Sequence, residues 1–172
     1  MDRPSQLVLN ADDIEPFTHP ADPTYHSQHI LGSETAGLHD LLLNRGTVDP
    51  RSGLGGGNHP DNDEIYYGVS GTSLVDLGGN PDTGEGGETF SIGPGAVVFI
   101  PAGTFHRLRN TADEPFVLLT IWPQPAARGA NGIHDQRLDD WGTGFKLRPE
   151  RELASTKLSR RVIAHGADPL RP

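Results

Sequence analysis

Cysteine is absent from this chain of 172 residues. That absence removes disulfides, thiolate nucleophiles and sulfur-ligated metals together, so a metal held here must take His, carboxylate or neutral oxygen donors. Positive charge is scarce too: 14 Lys and Arg stand against 23 Asp and Glu, a net charge of −9. A surface of that sign repels phosphate backbones and anionic headgroups, which argues against nucleic acid or a membrane as partner. Long apolar runs are missing. No stretch approaches the ~18 apolar residues of a membrane span, and Met1-Asp2-Arg3-Pro4 leads into nothing of signal-peptide character. The expected compartment is the cytoplasm.

Turn chemistry is plentiful. Gly 22 and Pro 15 exceed ordinary usage for this length, as many short strands joined by tight turns require. Strand patterns run over residues 38–48, 64–77, 88–91, 96–100 and 105–122, the last interrupted near 110–114. The segment 78–87, GGNPDTGEGG, reads as a long polar hairpin loop. Residues 1–37 carry little periodicity and read as an arm contributing one or two edge strands. After Pro123 the composition shifts to few apolar and many charged residues, with a helix expected at about 150–164. The segment 132–145, with interleaved aromatics and glycines, is too ordered for a tail and is expected to pack across the mouth of the fold or onto a partner. No internal repeat appears, so one domain is expected, with an arm over 1–37, a body over 38–124 and an extension over 125–172.

One stretch carries chemistry. In GPGAVVFIPAGTFHRLRN, residues 93–110, Gly93, Pro94 and Gly95 make a turn and Ala96 to Ile100 an apolar strand. Pro101-Ala102-Gly103 then breaks the chain before a second strand opens near His106. The spacing Gly95, Pro101, Gly103, His106, Asn110 resembles the second conserved motif of the cupins. Upstream, Gly55-Gly56-Gly57-Asn58-His59 leads to Glu64, with Gly71 closing the strand. This resembles the first cupin motif, with His59 on its second histidine, Glu64 on its glutamate and Gly57 where its first histidine would stand.

The resemblance, spanning roughly residues 38–124, implies an all-β fold: a double-stranded β-helix, or jelly-roll barrel, with an N-terminal arm and a C-terminal extension holding a short helix. It implies a metal on His59, Glu64 and His106. Alternation along the strands puts Glu64, Tyr66 and Gly68 on one side, with Ile65, Tyr67 and Val69 turned toward a second sheet or a subunit. His106, Leu108 and Asn110 likewise face in, and Arg107 and Arg109 out. Tyr66 is therefore a pocket wall and the candidate catalytic side chain. A competing register, His59-Pro60-Asp61 with His106, resembles the triad of 2-oxoglutarate-dependent oxygenases and makes Asp61 the alternative carboxylate.

Two imidazoles and one carboxylate leave coordination positions open and suit non-haem Fe(II), with Mn, Ni and Zn as other divalent fits. The foremost expectation is an Fe(II) dioxygenase, an oxidoreductase acting on a small polar molecule. The alternatives are a metal-dependent isomerase, lyase or decarboxylase, and a non-catalytic small-molecule-binding cupin. A homodimer is expected.

Overall fold

The computed structural model describes residues 8–123 and 132–151. Within them the order is β1 (Phe17–Thr18), β2 (Tyr25–Leu31), α1 (Ser33–Ala36), β3 (Leu41–Val48), β4 (Ser52–Gly57), β5 (Glu64–Ser70), β6 (Ser73–Leu77), β7 (Glu88–Ile92), β8 (Val97–Ile100), β9 (His106–Asn110), β10 (Phe116–Pro123) and α2 (Gly132–Trp141). Two antiparallel sheets hold the strands: six in the order β1-β2-β3-β10-β5-β8, and four in the order β4-β9-β6-β7. This is the expected β-barrel of the double-stranded β-helix type.

Period-2 burial builds it. Along β10, Phe116, Leu118, Thr120 and Trp122 are buried and the residues between them are not. Along β3, Leu42, Asn44, Gly46 and Val48 alternate in the same way. Val48, Phe116, Leu118, Val75 and Leu108 form the dry end of the core. Toward the other end, the inward positions turn polar with Asn44, Glu64, His106 and Thr120, and there the site lies.

The span 64–77 is two strands rather than one, and 105–122 is divided into β9 and β10 at the expected interruption. Between β5 and β6 the chain leaves one sheet for the other at Gly71, whose φ is +73° and where a Cβ would collide with the Pro115 carbonyl. Glycine alone makes that corner without strain. Between β9 and β10 the corner is latched by Asn110. Its amide donates to the carbonyls of Val48, Asp49 and Glu114, and its Oδ1 accepts from the Ala112 N–H.

The N-terminal arm supplies β1 and β2 to the edge of the larger sheet. The glycine-rich approach, which carries no strand pattern in the sequence, is strand β4, paired with β9. The helix of the extension lies at Gly132–Trp141; the helix expected at about 150–164 falls beyond residue 151, outside the described residues. On the outer face, Tyr67 and Val69 are turned not onto the second sheet but to the exterior, beside Val97 and Phe99 of β8, which are 67% and 57% exposed. Among the described residues no helix is long and apolar enough to cross a membrane.

Candidate metal centre

His106 opens β9 directly after the Pro101-Ala102-Gly103 turn. Gly103, at φ +74°, donates its N–H to the His59 carbonyl at 2.7 Å, and the Ala102 N–H donates to the Asp63 carboxylate at 2.9 Å. The turn that presents one histidine therefore clamps the loop that presents the other. Glu64 follows at the start of β5, opposite Ile100 of β8, with its side chain buried.

These placements converge. His59, Glu64 and His106 each offer a ligand atom, all within 4.8 Å of one another. The Nε2 atoms of His59 and His106 stand 3.5 and 3.3 Å from the same oxygen, Glu64 Oε2. That oxygen is buried and has no hydrogen-bond partner. An orphaned buried carboxylate oxygen is costly, whereas donors bound ~2.1 Å from one ion lie ~3.0–3.4 Å apart. The donor set therefore fits a divalent metal. His106 Nδ1 lies 3.1 Å from the Thr104 carbonyl, which fixes the ring with its proton there and turns Nε2 to the centre. The His59 ring is set by Trp122, edge-on at 4.3 Å between centroids. Asp61 is exposed and stands outside the group.

Charge at the site follows from burial and Glu64. Burial pulls His106 toward its neutral form, but the carboxylate beside it outweighs that pull and leaves the pKa raised. Tyr66 is pushed well above the ordinary phenol value, first by burial and then by the Glu64 charge, so its oxygen keeps its proton.

The three ligands line a cavity of about 220 Å³ together with Tyr66, Trp122 and Thr120. Its other wall was not legible in the sequence: Tyr25 and Ser27 from β2, Asn44 from β3, and Ile133 and Arg137 from α2. Arg137 is 1% exposed. Its Nη2 donates to Ser27 Oγ at 3.0 Å and Asn44 Oδ1 at 3.2 Å, and its Nη1 to the Gly144 carbonyl at 3.2 Å. Burial lowers its pKa to about 10, still cationic at neutral pH. The segment 132–145 thus packs against the barrel mouth. Alternation along β10 is the signal that would have found Thr120 and Trp122; nothing local pointed to Arg137.

A double-stranded β-helix with a two-histidine, one-carboxylate cluster at its open end defines a class, the metal-site β-barrels. Residues 45–122 match the family described as the cupin domain, and that stretch of the chain is a cupin domain. Over 78 residues it is 40% identical to glucose-6-phosphate isomerase of Thermococcus kodakarensis, covering 45% of this chain and 39% of that one. The chain thus spans about two fifths of that relative's length. Among solved structures it is similar to the oxalate decarboxylase formate complex of Lactobacillus farciminis, with a TM-score of 0.60 and 22% identity over 73% of this chain and 35% of that one. It is also similar to a predicted oxalate decarboxylase of Thermotoga maritima, with a TM-score of 0.58 and 22% identity over 68% of this chain and 98% of that one. At such identity the likeness is one of fold.

Proposed function

We propose that this chain is a metal-dependent enzyme acting on a small polar molecule, with a divalent ion on His59, Glu64 and His106. The observation that carries this reading is the meeting of three ligand atoms within 4.8 Å on the wall of a cavity large enough for a small molecule. A metal bound there supplies Lewis-acid polarisation of a substrate oxygen. Glu64 and the two imidazoles hold the ion, Trp122 and the buried barrel end limit water, and Tyr66 keeps a proton on an oxygen that lines the same cavity. That set suits isomerisation, elimination or decarboxylation, in which a proton must be given or taken beside a polarised carbonyl. The 40% identity to an isomerase over 78 residues favours this over oxygen chemistry, although the substrate of a relative that this chain spans by two fifths does not carry over. The same triad with open positions also suits an Fe(II) dioxygenase, the second reading.

The test begins with metal analysis of protein purified without added metal. Wild type and Asp61→Ala are expected to carry close to one divalent ion per chain, and His59→Ala, Glu64→Ala and His106→Ala little. Full occupancy in any of the last three, or none in wild type, discards the proposed centre. Exchange of the Asp61 and Glu64 outcomes moves the carboxylate to Asp61. A panel of small hydroxy acids, keto acids and sugar phosphates is then assayed with and without oxygen. Turnover under strict anaerobiosis supports the Lewis-acid reading, and turnover that consumes oxygen replaces it with the dioxygenase.

A further inference from the structure

Arg137 is a buried cation with no carboxylate in contact, Glu34 acting on it only from beyond ion-pair distance. No carboxylate lies within ion-pair distance of it among the described residues; its partners are a hydroxyl, an amide oxygen and a backbone carbonyl. Its Nε is buried and unpartnered. Elsewhere the fold pairs its arginines: Arg45 with Asp12, Arg51 with Asp113, Arg107 and Arg109 with Asp76, and Arg151 with Asp13. Those are more exposed and need the partner less. A guanidinium taken out of water with no anion beside it destabilises a fold, because neutral acceptors replace only part of its hydration. Such a group is retained where the missing charge arrives from outside.

The surroundings point the same way. Arg137 lines the cavity that holds the three ligand residues, with Tyr25, Ser27, Asn44 and Thr120 beside it. These are neutral side chains that donate or accept hydrogen bonds. The Tyr25 phenol, raised above its ordinary pKa chiefly by burial, stays protonated. The carboxylate opposite, Glu64, is engaged with the two imidazoles. The cavity therefore has one wall for a cation and another that carries a cation of its own.

We infer that Arg137 is the anion-recognition group of this pocket, and that the substrate is a small molecule bearing an oxyanion, a carboxylate or a phosphate, which Arg137 receives with Ser27, Asn44 and Tyr25. The inference deepens the proposed function by naming the substrate class. It rests on the cavity being the substrate site and not on a metal being bound.

The experiment uses chelator-washed full-length protein titrated calorimetrically with malonate, with inorganic phosphate, and with malonamide as the neutral control. Malonate or phosphate is expected to bind and malonamide not, with affinity falling as salt rises; whichever anion binds tells carboxylate from phosphate. Arg137→Met is expected to weaken the anion at least about thirty-fold, the effect of removing one partner of a buried charge pair, and Arg137→Lys to keep part of it. Because Arg137 also ties α2 to the barrel, Arg137→Met alone confounds recognition with docking. Asn44→Asp separates them: it sets a carboxylate of the same shape 3.2 Å from Nη2, so the helix stays docked and the cation is satisfied internally. Anion binding is then expected to be lost while thermal stability is kept or raised. If neither anion binds wild type, or if Asn44→Asp binds it as tightly as wild type, Arg137 is a structural tie and the inference falls. Metal content measured on unwashed portions of the same preparations keeps the two readings apart, since anion binding can vanish with the metal centre intact, and the reverse.

Discussion

At the residue scale, Gly57 decides how open the centre is. It stands directly opposite His106 across the β4–β9 pairing, and it lines the cavity. Its φ is not in the left-handed region, and an added Cβ would meet nothing within 4 Å. Gly56 beside it differs, since a Cβ there would run into the Phe105 ring. No turn or close approach therefore demands glycine at 57, and a side chain has room. Gly57→His is expected to add a fourth ligand, tighten metal binding about ten-fold or more, and lower turnover by closing a position the substrate uses. Metal titration followed by thermal unfolding checks this: weaker binding with a less stable apo-protein would overturn it. His59, Glu64 and His106 were legible because their spacing resembles the two cupin motifs, and for Glu64 and His106 the period of 2 along a strand agrees in turning both side chains inward. Trp122 was half legible, on the inward register of β10 but with no motif to mark it. Arg137 was not, because its meaning lies in a counter-charge missing from distant β2 and β3, which no local spacing records.

At the element scale, α2 shows why a helix escaped reading. Its barrel-side row runs Ile133, Arg137, Trp141 at i, i+4, i+8. Ile133 packs on the core, Arg137 is buried, and Trp141 meets Phe17 edge-on at 5.2 Å. With an arginine in the middle of the apolar stripe, the 3.6-residue period is broken in sequence though intact in space. The strands joined as 64–77 failed differently: apolar character continues into the corner, and only the backbone at Gly71 divides them, whereas the polar run at 110–114 marked the break between β9 and β10 in the sequence. What anchors α2 is also titratable. His29 of β2 is 2% exposed, lies with Nδ1 3.0 Å from the Gly144 carbonyl, and meets His134 of α2 edge-on at 5.4 Å between centroids. Burial first, and then the Arg137 charge, lower its pKa from 6.5 to about 3. The folded form thus refuses a proton that the unfolded chain accepts. The stability that goes with neutral His29 is present in full above about pH 6.5 and drains as pH falls toward 3, at up to ~1.4 kcal/mol per unit. Hydrogen-exchange protection factors across α2, taken against the intrinsic rate at each pH, are expected to fall between pH 7 and pH 4 before those of β10. Replacing His29 by Asn should flatten the dependence, and an unchanged slope in that variant would assign the acid sensitivity elsewhere.

At the scale of the whole molecule, the outer face of the larger sheet remains apolar. Ile65 pairs across to Phe99 and Tyr67 to Val97, and β8 is the sheet's outermost strand on that side. An edge strand bearing exposed Val and Phe invites a partner, and the expected homodimer would bury it. Sedimentation of wild type is expected to give a dimer, and Phe99→Lys a monomer with its metal content unchanged; a monomeric wild type removes the expectation. The pocket's two walls have a different consequence. The wall that holds the ligand cluster, from His59 to Trp122, lies inside the stretch that matches the cupin family model, residues 45–122, while Tyr25, Asn44 and Arg137 lie outside it. A family match over that stretch follows the cluster and is silent on the opposite wall, so two chains alike there can share the cluster and part company over what they admit beside it.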